Sequence, residues 1–283
     1  MGVHAQGRSP KHTLAWVVGT LAQAGIRERI PDPRVRDPFH TQVLYFNSMR
    51  ELGGALVLAE DDVPAYMTRL TRIQTEEAGS GPAGPGEAVG PIPRRTLGRP
   101  AELSSQLRAE EIRNRLAEMG RSIVTVPGTV PTHQALDLLL STNMISVGVD
   151  VDRLGVMVVN GQPKTTAEYI QASSRVGRPR GSAGLVVTLY NWTRPRDRSH
   201  FERFKAYHRT FYRFVESNSV TPFSGRARDR ALSAVLVSLV RMSLSNFETN
   251  DSASLVTSFE ADIRNLADTI RDRADAVDDD ELE

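Results

Sequence analysis

Cysteine is absent from all 283 residues. That excludes disulfide frameworks, thiol nucleophiles and cysteine-ligated zinc or iron–sulfur sites, and it suits a reducing compartment. No apolar run reaches the roughly 18 residues that a membrane-spanning helix requires. Arg8 and Lys11 ahead of "LAWVVGTLAQA" imitate a short signal sequence. Everything downstream nevertheless reads as intracellular, and "MGVHAQ" lacks the Ser or Thr of a myristoylation signal. The expectation is a cytoplasmic protein with no membrane partner. The histidines are scattered, so no metal site is expected. Also lacking is a phosphate loop of the form G-x-x-x-x-G-K-S/T. The nearest stretch, "NGQPKTT" (160–166), leaves too few residues between glycine and lysine to wrap phosphates, and Lys164 reads as a surface residue at a helix start.

The net charge is only +1, but it is unevenly spread. Residues 175–230 hold 13 Lys or Arg against 4 Asp or Glu, whereas residues 248–283 hold 3 against 12. The basic block is an electrostatic footprint for a polyanion. The acidic tail suits a solvated, partner-binding or self-masking surface.

Apolar spacing predicts a helix over 13–30, broken by the three prolines of "RIPDPRVRDP". "TQVLYFN" (41–47) reads as a buried parallel strand, and "SMRELGGALVL" as a helix with Ser48 at its N-cap and Glu51 three residues on. Residues 78–100 are dense in Gly and Pro and predict a flexible linker. Helical "EEIRNRLAEM" precedes the strands "ALDLLLS" (135–141), "RLGVMVVN" (153–160) and "AGLVVTLYN" (183–191). A capping box, Thr165 with Glu168, opens a helix between the last two, with Tyr169 and Ile170 toward the sheet. Long helices are expected over "DRSHFERFKAYHRTFYRFVES", "ARDRALSAVLVSLVRMSL" and "LVTSFEADIRNLADTIRDRADAV". The fold class is α/β, a parallel sheet with flanking helices and a C-terminal helical extension. The expected domains are an N-terminal helical segment and linker (1–40), a sheet domain (41–195) and the extension with its acidic tail (196–283).

In such sheets, function collects in loops beyond the carboxyl ends of strands. Two loops are unusually polar. "STNMISVGVD" (141–150) offers Thr142 and Asn143, a glycine for close approach at Gly148, and Asp150 to accept from a ribose or orient an arginine. "QASSRVGR" (171–178) offers Gln171, Arg175 and Arg178. A lone R-x-G-R suits a solvated helix end equally well, and Asp150 alone suits a turn cap.

In order and separation, these stretches resemble the motifs of superfamily 2 helicases. "QASSRVGR" is similar to motif VI, Q-x-x-G-R-x-G-R, with Ser174 in place of the first glycine. "STNMISVGVD" resembles motif V and "VLYFNSMREL" motif IV. The longer run from Ser141 through "LVVTLYNWTRPRDRSHFERF" is similar to the helicase-like protein of the bacterial DISARM antiphage system. The resemblance implies the second, C-terminal RecA-like lobe of an ATP-dependent motor. It implies arginine fingers at Arg175 and Arg178, phosphate sensing by Gln171, and coupling of nucleotide to lobe closure by Gly148 and Asp150. Nucleic-acid contacts would come from Ser48, Arg50 and Thr142, with Ser48 equally suited to a plain helix cap and Arg50 to solvent.

"WTRPRDRSHFERFKAYHRTFYRF" interleaves aromatics and arginines. Phe201, Phe204, Tyr207 and Phe211 recur at helical steps and read as core, which leaves Trp192 as the candidate for base stacking. The chain contains no D-E-x-D/H element to position magnesium. The expected cofactor, ATP with magnesium, would therefore be held by a further N-terminal helicase lobe on another chain, and the chain alone is expected to be inactive. The alternatives are a stand-alone DNA- or RNA-binding module and a truncated gene remnant.

Overall fold

The structure, a computed structural model, describes residues 1–4, 7–26, 29–80, 93–124, 135–146, 150–179, 181–217 and 223–277. They form two compact units, Met1–Glu216 and Ser217–Glu283.

The first unit contains, in chain order, β1 (Gly2–Val3), α1 (Pro10–Ala24), α2 (Pro33–His40), β2 (Gln42–Phe46), α3 (Met49–Glu60) and α4 (Asp62–Ser80). Next come β3 (Ala101–Leu103), α5 (Ala109–Met119), β4 (Leu138–Ser141), β5 (Val156–Asn160), α6 (Thr166–Ser173), β6 (Leu185–Leu189), α7 (Pro195–Glu202) and α8 (Phe204–Arg209). The second unit holds α9 (Gly225–Ser243) and α10 (Glu260–Asp275), joined through 3-10 turns and an edge-to-face pair, Phe247 and Phe259.

The strands run in the order β1-β6-β5-β2-β4-β3, and every pairing is parallel. A parallel sheet is covered on both faces, which is why β2, "QVLYF", is buried at every residue. Alternation sorts its side chains. Leu44 and Phe46 join Leu140 and Val158 beneath α1, α3 and α4, whereas Val43 and Tyr45 join Leu139, Met157 and Val159 beneath α5 and α6. Each such fully buried side chain contributes about 1.5–3 kcal/mol.

The predicted strands and the helices α3, α5, α6 and α9 form where the sequence places them, whereas the helix expected over 13–30 runs from Pro10 to Ala24 and the proline-rich stretch after it contains most of α2. Ser48 caps α3 by accepting from Glu51 N–H, and Thr165 with Glu168 closes the capping box of α6. The stretch expected as one long helix from residue 197 is broken at Arg203 and again at Thr210, and ends in a 3-10 turn. The breaks let Phe204, Tyr207 and Phe211 wrap around Tyr190 and Tyr169, so tertiary packing overrides helical continuity. The third predicted long helix likewise begins as a 3-10 turn, 250–259. The edge strand β3 had no signal in the sequence. Within the Gly/Pro segment, 81–92 lie outside the described residues. Pro93–Arg95 are tied to α1, with Gln23 donating to Pro93 O and accepting from Arg95 N–H. No described helix is long and apolar enough to cross a membrane.

Two ion pairs fasten the amino ends of the strands. Arg153 reaches both oxygens of Asp37, at 3.1 Å each, and donates to Thr41 and to Met119 O. Arg95 and His40 both meet Asp137, which also accepts from Gly98 N–H at 2.6 Å. Burial works to raise the Asp137 pKa, but the His40 hydrogen bond, the Arg95 charge and Gly98 N–H together hold it down to about 2. Burial lowers the His40 pKa, keeping the ring neutral so that it donates to Asp137 and accepts from Arg95.

Both groups bind protons more readily when unfolded, so both stabilise the fold most at neutral pH. Stability should fall as pH drops below the ordinary histidine value of 6.5, and again between 3.8 and about 2. Urea unfolding followed by tryptophan fluorescence reads this in the first unit, which contains both tryptophans. Asp137→Asn should flatten the lower step, and an unchanged profile would refute this origin of acid lability.

Candidate functional site

A sheet buried on both faces presents polar groups only at its two edges. At the carboxyl edge, β2 leads into Asn47 and Ser48, and β4 into Thr142 and Asn143. These residues line a cleft of about 210 Å³ together with Ser105 and Lys164. Ser48 is exposed and uses its hydroxyl as the α3 cap, 3.3 Å from Glu51 N–H, and it retains a proton to donate. Thr142 is 7% exposed at the cleft wall. Arg50 is exposed in the first turn of α3. Glu51 beside it accepts from Arg194 at 2.6 Å, fixing α3 to the segment after β6. Trp192 also follows β6, but its ring is stacked on His4 (4.7 Å), with Arg198 4.5 Å over it. The indole is thus held by its own chain, while the residue stays 37% exposed.

The arginines lie elsewhere. α6 leaves the carboxyl end of β5 and runs back along the sheet. It therefore delivers "RVGR" beside the amino end of β5, where Gly177 N–H donates to Leu154 O at 2.8 Å. The expectation of two loops at one edge is corrected accordingly: one begins at the carboxyl edge and the other ends at the amino edge. Gln171 is exposed on α6, one turn before Arg175. Arg175 is half-buried and donates to Ser146 O. Arg178 pairs with Asp150, whose side chain is 74% exposed. Gly148 lies outside the described residues. Ser174, where the helicase pattern has glycine, adopts φ −69°, open to any residue. The N-terminus of α6 is held by Glu216, which accepts from Thr166 N–H at 2.8 Å and from Ala167 N–H; these bonds keep its carboxyl below the usual range.

Gly177 explains the spacing of the pair. It has φ +68°, and a Cβ there would sit 2.7 Å from Gly184 Cα and N. Only glycine turns the chain this sharply against β6 while keeping one arginine on each side. Asn47 and Glu216 were missed. Asn47 directly follows the apolar run of β2, a signal that could have been used, whereas Glu216 carries none. Among the described residues no His, Asp and Glu group of three or more converges as a metal site would require.

Gly177→Ala should destabilise the first unit by about 1–3 kcal/mol through overpacking and backbone strain. Arg178→Ala should stay within about 0.5 kcal/mol, as for other surface pairs. Urea midpoints compare the two, and equal midpoints would refute the close-approach argument.

Residues 117–180, which contain β4, β5 and α6, match the family described as helicase conserved C-terminal domain. The DISARM protein DrmA of Bacillus paralicheniformis is 40% identical over 279 residues, covering 98% of this chain and 22% of the relative. The chain therefore spans about a fifth of the length of the curated relative it matches. Among solved structures, the DUF1998 helicase MrfA bound to DNA and AMPPNP aligns over 80% of this chain and 24% of its own. Its TM-score is 0.50 at 13% identity, a likeness of fold. Residues 117–180 thus match the helicase conserved C-terminal domain, and the chain is similar along almost its whole length to DrmA and in its RecA-like fold to MrfA.

Proposed function

We propose that the chain is the C-terminal half of an ATP-dependent nucleic-acid helicase or translocase. The observation that supports this reading most is the loop that begins at Thr142. It starts in the polar cleft at one sheet edge and ends at Asp150 against Arg178, with Arg175 holding Ser146 O midway. One segment thus meets both a strand-binding cleft and a pair of guanidinium groups.

The Arg178–Asp150 pair is exposed, and such pairs contribute only about 0–1 kcal/mol. A phosphate carries more charge than a carboxylate and accepts a bidentate guanidinium, so it displaces Asp150 readily. Arg178 is then the finger and Asp150 its resting partner. Arg175 transmits the shift to the loop, and Gln171 orients groups at the phosphate. ATP with magnesium, when bound, supplies the energy of phosphoryl transfer. The phosphate loop and the magnesium-binding acids come from a second RecA-like lobe. Ser48, Arg50, Thr142 and Trp192 serve the strand of DNA or RNA. This activity is cytoplasmic and belongs to antiphage defence of the DISARM type. The lining of the cleft comes wholly from this chain, which favours a stand-alone nucleic-acid-binding module as the second reading.

The chain alone should hydrolyse no ATP above background. Mixed with a DrmA-type N-terminal lobe it should do so, and Arg178→Ala should lower that rate by about 10³–10⁵. Persistence of the full rate in the variant would remove the finger assignment.

Fluorescence polarisation of a labelled single strand should show log affinity falling linearly with log salt, by about 0.7 per phosphate contacted. Arg175→Ala/Arg178→Ala should leave that binding unchanged. DNA and RNA strands are compared in parallel. Absence of binding by the folded chain would eliminate the stand-alone module.

A further inference from the structure

A second concentration of arginine lies away from the motifs, at the amino edge of the sheet, on the α1 side. The C-terminal end of α1, the end of α2 and the segment 93–95 enclose a cavity of about 300 Å³. It is lined by Gly25, Ile26, Arg36, His40, Arg94 and Arg95, besides Pro93. Among the described residues no acidic side chain lines it. Asp137, next to Arg95, is engaged by Arg95, His40 and Gly98.

The ion pair with Asp137 accounts for only one arm of Arg95. Its Nη2 serves Asp137, His40 O and His40 Nδ1. Nη1 is enclosed and has no hydrogen-bond partner among the described residues, although the side chain is 9% exposed. An unpaired donor of a buried guanidinium is costly unless a ligand or water accepts from it. Space exists beside it, since a Cβ added at Gly25 would lie 3.8 Å from Nη1. Arg36 is anchored to Ile30 O at 2.9 Å, and Arg94 to Thr68 at 3.3 Å, so both cations are retained at the cavity. With Asp137 offsetting Arg95, two positive charges remain.

We propose that this cavity binds a phosphoryl dianion, supplied either by the terminal phosphate of a strand or by a free phosphate ester. Two uncompensated arginines and one free donor arm match its charge and its acceptor oxygens. The site is independent of the function proposed above, because none of its residues belongs to the helicase motifs.

Calorimetric titration of the whole chain with inorganic pyrophosphate tests it. Arg36→Gln/Arg94→Gln leaves the Asp137 pair intact and should weaken binding about tenfold or more. Arg95→Lys keeps the charge, removes the second arm and should weaken binding too, with circular dichroism confirming the fold. Arg175→Ala/Arg178→Ala removes the other guanidinium pair open to phosphate and should still retain one pyrophosphate site. A 5′-phosphorylated strand preferred over its 5′-hydroxyl twin, with the preference abolished in the Arg36/Arg94 variant, identifies a strand end as the source. Pyrophosphate binding without that preference identifies a free ester. No pyrophosphate binding, undiminished binding in the Arg36/Arg94 variant, or loss of binding in the Arg175/Arg178 variant overturns the proposal.

Discussion

The structure depends on a parallel sheet that is apolar on both faces. With no free face, every uncompensated polar group is driven to the strand ends, where backbone groups need partners anyway. The cleft at the carboxyl edge gathers Asn47, Ser48, Thr142 and Asn143 with Lys164 and Glu168. The amino edge receives the charged pairs, Asp37 with Arg153 and Asp137 with Arg95. Both edges thus collect their polar groups under one burial constraint. Helix α6 matters because it runs from one edge to the other.

Burial also separates the ion pairs into fixed and exchangeable ones. Arg153 and Asp37 are about nine-tenths covered, and each is hydrogen-bonded to further groups, so breaking the pair would strand a buried charge. Asp150 is 74% exposed and Arg178 35%, so solvent screens and weakens their attraction. The same two residue types therefore build the frame in one place and a replaceable contact in the other. That distinction is invisible in a sequence, because each pair is one arginine and one aspartate far apart along the chain.

What was legible follows the same division. The apolar strands, the caps at Ser48 and Thr165, and the order of the polar loops were readable, since each rests on local pattern within a few residues. The breaks at Arg203 and Thr210 were not, because they answer to Tyr169 and Tyr190 on elements far along the chain. Nor was the clamp of Glu216 on α6, 50 residues away in sequence, or the edge at which α6 ends. Residues with candidate chemistry were found by type and order, while their partners came only from topology.

Gly177 shows how such a partner decides geometry. Its positive φ could be met by any tight turn, but the approach of Gly184 to 2.7 Å of its missing Cβ could not. The turn is pressed against β6 on one side and bonded to Leu154 on the other, so its backbone has no room to relax. Arg175 and Arg178 leave a rigid knuckle in two directions, one toward Ser146 and one toward Asp150. On the proposed reading, a pull on Arg178 cannot be absorbed by the turn. It must pass through Arg175 into the loop that reaches the cleft, and two small residues packed face to face make that transmission possible.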